Sequence, residues 1–360
     1  MLQVALKRYF NILAALLTVV LSGCRHGDGP ETPVSGNASC DLVVTIDIDR
    51  LSPRDQATRA IWDDDYPEEA SISFEDNIKD VSLWFVTPSN ASMPLVSESV
   101  ESADGKRRFK ATIDLGDWYV THAGSEFFIS GRLVAIANHP SLDFSLAPFS
   151  QPSFDLSYIS DSETIPMWGV ASLGNLRLIP NGTVDAGSVK LLRSVPKISI
   201  ELSPGFKDDY KIIDAKPESS DYGRFAYVTP SGCRDASHTG ALSIENCFNP
   251  CTGDNGQGLR FYGLGTSSVY AYAAERSFSG APSAPATLLV TLQRKDGKGK
   301  PFSGRLRLCD YKDGLPIEGS GFTRLVRNHD YRYVLSLSEL LFKISFSEWV
   351  FGGKVHIELE

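Results

Sequence analysis

Cys233, His238, Cys247 and Cys251 are residue types that hold metal ions or form crosslinks, and they fall within one short span. Three thiolates and an imidazole can bind zinc. The C-x4-H-x8-C-x3-C spacing fits no common zinc module, so the set reads as a disulfide or as a loop with free thiols. Gly263-Leu264-Gly265-Thr266-Ser267-Ser268 offers glycines and hydroxyls to a phosphate, but lacks the lysine and following helix of an anion cradle; a β-bulge or loop is expected. Asp63-Asp64-Asp65 with Glu68 and Glu69 lacks the ligand spacing of a calcium loop and reads as a solvated acidic loop. The histidines are His26, His122, His139, His238, His329 and His356, and none lies in a nucleophile motif. There is no Gly-x-Ser-x-Gly and no His-Glu-x-x-His. His122 and His139 sit beside turns, where a solvated imidazole is expected. Trp62, Trp84, Trp118, Trp168 and Trp349 are expected mainly in the core rather than on a carbohydrate platform. The chain thus reads as a non-enzyme, with no catalytic residue, no metal and no cofactor.

Cys24 has a clearer chemistry. Lys7 and Arg8 precede an apolar run from Tyr9 to Leu21, broken only by Asn11 and Thr18, and Leu21-Ser22-Gly23-Cys24 follows. A basic start, a short apolar stretch and small residues describe a secretory signal. The run is short for a membrane span. Leu-Ser-Gly-Cys resembles the bacterial lipoprotein signal, which implies a signal peptide over 1–23 and lipidation of Cys24. Acyl chains contribute about 0.8 kcal/mol per buried methylene, so several chains give a lasting anchor in the outer membrane. Residues 24–39 are rich in Gly, Pro and Ser and read as a flexible tether. Without Cys24, five cysteines remain, an odd number that leaves a free thiol or an intermolecular bond.

Hydrophobic residues make up 42 % of the chain and charged residues 22 %, a globular composition and not a disordered one. Net charge is −9, and about −11 once the two basic residues before Cys24 are removed. That balance argues against nucleic acid as a partner. Leu42, Val44, Ile46 and Ile48 alternate with Thr45, Asp47 and Asp49, the pattern of a half-buried strand. Further strands are expected over 81–86, 110–115, 127–137, 190–202, 258–272, 287–293, 305–309, 331–337 and 355–360. Asp104-Gly105, Asn181-Gly182, Asp296-Gly297 and Asp313-Gly314 punctuate them as turns. No long capped amphipathic helix is visible. The reading is all-β, as two tandem β-sandwich domains over 40–190 and 191–360.

Several segments together resemble the fimbrillin family, the lipoprotein-derived subunits of the type V pili of Bacteroides-type bacteria. They are Thr58-Arg59-Ala60 after the first strand, Ile165-Pro166-Met167-Trp168-Gly169, and Val189 to Ile198, where Arg193 precedes an apolar segment and Pro196 stands in place of alanine. Arg327-Asn328-His329-Asp330-Tyr331 and Trp349 followed by Val355 to Leu359 complete the set. The resemblance implies two transthyretin-like β-sandwiches, export as a lipoprotein, and removal of the first strand by an arginine-specific protease. A neighbouring subunit's strand then fills the vacated groove. On this sequence it makes Leu42, Val44, Ile46 and Ile48 the displaced strand and Arg50, Arg54 and Arg59 the candidate cleavage sites. Val355, Ile357 and Leu359, beyond Gly352-Gly353, become the candidate donor strand.

The implied function is a structural subunit of a cell-surface fimbria that supports adhesion, with other pilus subunits as partners. Shaft, tip and anchor roles all remain open. Cys40, just before the first strand, favours an anchor that keeps its lipid and its strand; the arginine cluster favours a processed subunit. The alternative is a permanently lipid-anchored surface lipoprotein, a pilus anchor or a module binding glycan or host protein.

Overall fold

Alternation of apolar and polar side chains lets an extended segment bury one face and wet the other. In the computed structural model the segment Ser39–Ile48 does so, with Cys40, Leu42, Val44 and Ile46 buried and Asp47 exposed. The structure describes residues 38–48, 74–89, 91–100, 107–139, 152–218, 222–230, 248–251, 258–278, 283–312, 315–338, 341–348 and 357–359. The signal, the tether with Cys24, Arg50, Arg54, Arg59, the acidic cluster, Trp62, Trp349, Val355 and Cys233, His238 and Cys247 lie outside the described residues.

The first half of the chain supplies β1 (Ser39–Ile48), β2 (Val81–Val86), β3 (Ser92–Leu95), β4 (Ser97–Val100), β5 (Arg107–Asp114), β6 (Thr121–Ala123), β7 (Glu126–Ala137), β8 (Ser153–Asp155), β9 (Met167–Leu178) and β10 (Thr183–Arg193). The second half supplies β11 (Lys197–Leu202), β12 (Tyr210–Pro217), β13 (Phe225–Tyr227), β14 (Ser268–Tyr272), β15 (Arg276–Ser277), β16 (Thr287–Arg294), β17 (Phe302–Arg307), β18 (Cys309–Lys312), β19 (Leu315–Gly321), β20 (Arg324–Leu325), β21 (Asp330–Ser338), β22 (Leu341–Glu348) and β23 (Ile357–Leu359). Among the described residues the only helices are α1 (Ser157–Ser162) and α2 (Pro204–Lys207). The protein is all-β.

The strands β3-β2-β7-β9-β10-β1-β5-β4 form one hydrogen-bonded path, with β6 joined to β7. The path is narrowest where β9 and β10 meet, since they pair only at Met167–Gly169 against Leu191–Arg193. A Cβ at Gly169 would lie 2.3 Å from the Lys190 carbonyl, so the two backbones approach here as only glycine allows. Met167 and Trp168 beside it are fully buried. In the second half, β14-β11-β21-β22-β23 form one sheet and β12-β16-β17 another. Ile198, Ile200, Val269, Leu288, Val290, Leu292, Leu306, Tyr333 and Leu335 belong to one buried core. Both halves share an arrangement: β1 lies parallel to β10 and antiparallel to β5, and β11 lies parallel to β21 and antiparallel to β14.

Four expectations need correction. The run 190–202 is two strands broken at Ser194–Pro196, since proline has no N–H for the ladder. Within 258–272 only Ser268–Tyr272 is a strand; Gly263 and Gly265 take positive φ and turn the chain so that Tyr262 pairs with Tyr270. Trp118 is 67 % exposed, because it sits in the turn after β5 rather than in a strand. His139 is buried, since with Asn138 it directly follows the covered end of β7.

Charged groups inside the protein tie the two halves together. Lys197 Nζ lies 2.8 Å from Glu75 Oε1 and 3.7 Å from Asp330 Oδ2, with all three residues buried. The Tyr272 hydroxyl donates to Glu75 Oε1 at 2.6 Å, and the Ser199 hydroxyl donates to Asp330 Oδ1 at 2.8 Å. Arg193 donates to Asn328 Oδ1 and to the Glu75 carbonyl and pairs with Asp76. Arg327, 1 % exposed, donates to Glu275 through Nε at 2.9 Å and a terminal nitrogen at 2.7 Å. Burial would lower the Lys197 ammonium, but the Asp330 and Glu75 carboxylates outweigh it and raise its pKa. Burial pushes Asp330 up to about 6 against the pull of Lys197.

Two outcomes are expected. Lys197→Met strands buried carboxylates and lowers unfolding free energy by roughly 3–5 kcal/mol in denaturant titration. The raised Asp330 pKa means that the native state takes up a proton more readily than the unfolded chain. Its contribution to stability is therefore full below the unfolded pKa and is lost as pH rises through about 6. Relative to Asp330→Asn, the parent should gain more than about 1 kcal/mol between pH 7 and pH 4, read from paired denaturation curves.

Candidate assembly site: the first strand in its slot

β1 is paired on both edges. Its residues Asp41 to Ile48 run parallel to Thr183 to Leu191 of β10, with a register shift between Val43 and Thr45. Its residues Ser39 to Ile46 run antiparallel to Asp114 to Arg107 of β5. The turn between β9 and β10 grips its start: the Asn181 N–H donates to the Ser39 carbonyl at 2.6 Å, and the Asp41 N–H donates to the Gly182 carbonyl at 2.9 Å. Asn181 has φ 53°, a conformation asparagine tolerates in such turns. On the wet face Asp41 accepts from the Thr112 hydroxyl at 2.7 Å and faces Lys110 at 3.5 Å, which also pairs with Glu98 at 2.8 Å.

Leu42, Val44 and Ile46 point into the core at 0–2 % exposure, and Ile48 is only half-buried, near the end of the register. Cys40 continues the buried face in place of an aliphatic residue; burial raises its thiol pKa, so it stays protonated. Burying three aliphatic side chains contributes roughly 5–9 kcal/mol, and each ladder hydrogen bond adds about 0.5–1.5 kcal/mol net. Without β1 the facing edges of β5 and β10 would stand roughly 10 Å apart with unpaired N–H and C=O groups, the width of one missing strand.

β1 connects to the body through residues 49–73, which include Arg50, Arg54 and Arg59. The body resumes at Phe74-Glu75-Asp76, where Glu75 and Asp76 are held by Lys197, Tyr272 and Arg193. A cut at any of the three arginines would therefore separate β1 from the body and leave these ion pairs intact. At the other end of the chain, Ile357 and Leu359 lie in β23, the edge strand of its sheet, paired with Ile344 and Phe342 of β22.

Three of the segments that carried the family resemblance, 165–169, 189–198 and 327–331, come together in space. Pro166 accepts from the Ser194 N–H at 2.9 Å, Arg193 reaches Asn328, and Lys197 reaches Asp330. Glu75, Asp76 and Glu275, which complete these contacts, escaped the sequence reading, because a single acidic residue in a turn carries no local pattern. Cys40 and Cys251 are free thiols. Among the described residues no group of three or more His, Cys, Asp or Glu is arranged to hold a metal ion.

No family model and no curated protein matches the chain. Solved structures do. A C-terminally truncated tip fimbrial protein from Porphyromonas gingivalis is similar at 14 % identity and TM-score 0.48, over 86 % of this chain and 99 % of that one. A fimbrial assembly protein from Parabacteroides distasonis is similar at 10 % identity and TM-score 0.43, over 86 % and 94 %. A fimbrilin from Porphyromonas gingivalis is similar at 14 % identity and TM-score 0.41, over 83 % and 90 %. These structural neighbours are fimbrial proteins, the group that the sequence motifs resemble.

Leu42→Ala should lower unfolding free energy by about 2–5 kcal/mol through the cavity it leaves. Thr45→Ser, on the half-exposed face, should change it by less than about 0.5 kcal/mol. Urea denaturation of the two variants measures the contrast.

Proposed function

We propose that the chain is a structural subunit of a cell-surface fimbria, exported as a lipoprotein through Cys24 and assembled by strand exchange once its first strand has been cut away. One observation carries the reading. β1 is fully integrated in its sheet, yet its connection to the body runs through a segment with three arginines, and the body's own ion pairs begin beyond that segment. A replacement strand with alternating aliphatic residues regains the roughly 5–9 kcal/mol of lost burial and both ladders, enough to hold a polymer without covalent links.

Ile357 and Leu359 alternate as such a strand requires, and Val355 extends the pattern in sequence. Among the described residues β23 has a strand partner on one edge only, so leaving its own sheet breaks that single ladder. The β10-β1-β5 and β21-β11-β14 arrangements repeat one another, which supports two tandem transthyretin-like sandwiches with a division between β10 and β11, at residues 194–196. The chain acts at the cell surface, with other pilus subunits and the outer membrane as partners, and performs no catalysis.

A second reading draws on the same strand. Because both edges of β1 are paired and Cys40 is buried with it, the strand can also be permanent, in a surface lipoprotein that stays on its lipid.

Limited digestion of the exported chain with an arginine-specific protease separates the readings. The subunit reading expects release of the segment bearing β1, followed by ladders that resist mild detergent, and no ladders from a chain lacking residues 353–360. Cleaved chains that remain monomeric, or a mature N-terminus on cells that is still lipidated Cys24, would establish the permanent anchor instead.

A further inference from the structure

A cleft of about 360 Å³ is lined by Asp155, Leu156, Arg224, Arg260, Tyr262 and Tyr272, with Ser157 and Gly258 between them. That volume lies within the range of small-ligand sites, roughly 300–1,000 Å³. The cleft is built by a close backbone contact. Gly258 donates its N–H to the Tyr222 carbonyl at 2.9 Å, and a Cβ there would lie 1.7 Å from the Gly223 carbonyl oxygen. This contact brings the strand-like segment 258–262 against residues 222–224, and Arg224 and Arg260 both line the cleft. One wall comes from the first half of the chain, since β8 pairs with β13 through Asp155 and Phe225.

The two arginines differ. Arg224 pairs with Asp155, whose other oxygen accepts the Ser157 N–H at 2.9 Å. Arg260 is exposed, has no carboxylate partner among the described residues, and is held over the Tyr262 ring at 5.6 Å. Tyr262 is itself stacked on Tyr270 at 5.6 Å, and Tyr270 meets Tyr272 edge to face at 5.7 Å. Tyr272 is fixed in turn by its hydrogen bond to buried Glu75. Arg260 is thus a guanidinium resting on an aromatic stack, on a chain of net charge −9.

We propose that this cleft binds a carboxylated sugar unit of a glycan, with Arg260 clamping the carboxylate. A planar guanidinium engages a carboxylate through two parallel hydrogen bonds. Leu156 and the tyrosine rings supply the apolar wall that a sugar's C–H face packs on, and Asp155 and Ser157 supply acceptors and a hydroxyl for ring hydroxyls. The cleft is too small for a folded partner. This site is independent of strand exchange, because none of its residues lies in β1 or in 49–73.

The test uses the uncleaved exported chain and titration calorimetry with methyl glucuronide and N-acetylneuraminic acid, against methyl glucoside and a sulfated glucose. Expected is binding of at least one carboxylated sugar about tenfold tighter than the neutral and sulfated ones. Arg260→Gln should abolish that preference and Arg260→Lys should restore it in part, both with unchanged thermal unfolding. Tyr262→Leu should weaken every sugar, and the carboxylated ones most, because it also releases Arg260. Equal binding of neutral and carboxylated sugars, equal or tighter binding of the sulfated sugar, no binding of either acid, or an Arg260→Gln variant that binds as the parent does would each overturn the assignment. Failure here leaves the protease result untouched, and failure of polymerisation leaves this one untouched.

Discussion

A strand inside a sheet answers to two edges and a core at once. β1 satisfies β5, β10 and the interior through Cys40, Leu42, Val44 and Ile46, and the sheet cannot close without it or a substitute. Buried backbone N–H and C=O groups must be paired, so whatever occupies this position must be extended, must offer an unbroken ladder and must alternate apolar with polar side chains. Few other segments meet all three conditions. Helices, loops and proline-bearing stretches are excluded by geometry before any question of affinity arises.

The ion pairs around Lys197 play a complementary part. Hydrophobic contact alone is non-directional, whereas Glu75, Lys197, Asp330 and Tyr272 must meet in one arrangement to be satisfied. Their cost in desolvation is recovered only when the halves, and the returning segment at Phe74–Asp76, are correctly placed. The same tyrosine that anchors Glu75 also ends the aromatic stack beside the cleft, so one side chain links the internal charges to the candidate sugar site.

Much of the fold was legible where apolar and polar residues alternate. The expected strand 81–86 is β2 residue for residue, and 127–137 and 287–293 each lie within one residue of β7 and β16. Failures fell where proline or glycine interrupts an apolar run, as at Pro196 and at Gly263 and Gly265, because hydropathy alone does not register a missing N–H or a positive φ. Of the junction, Arg193, Lys197, Arg327 and Asp330 were noticed through resemblance. Their partners Glu75 and Glu275 were not, since long-range pairing leaves no trace in local spacing. The cleft was invisible for the same reason: Asp155, Arg224 and Arg260 are far apart in sequence and meet only through the β8–β13 pairing and the contact of Gly258 with Gly223.

The grip on Glu75 also governs what a trimmed chain can do to itself. A stump beginning at Ala60 would be leashed beside the vacancy by the Lys197 and Tyr272 bonds, well placed to fall back into it. Its composition works against that: Ala70, Ile72 and Phe74 alternate with serines over only five residues, and the rest of the stump would bring the unpaired carboxylates of Asp63, Asp64, Asp65, Glu68 and Glu69 into a dry interior. A chain cut in this way would refill its own slot poorly, and the slot would stay open to a separate strand.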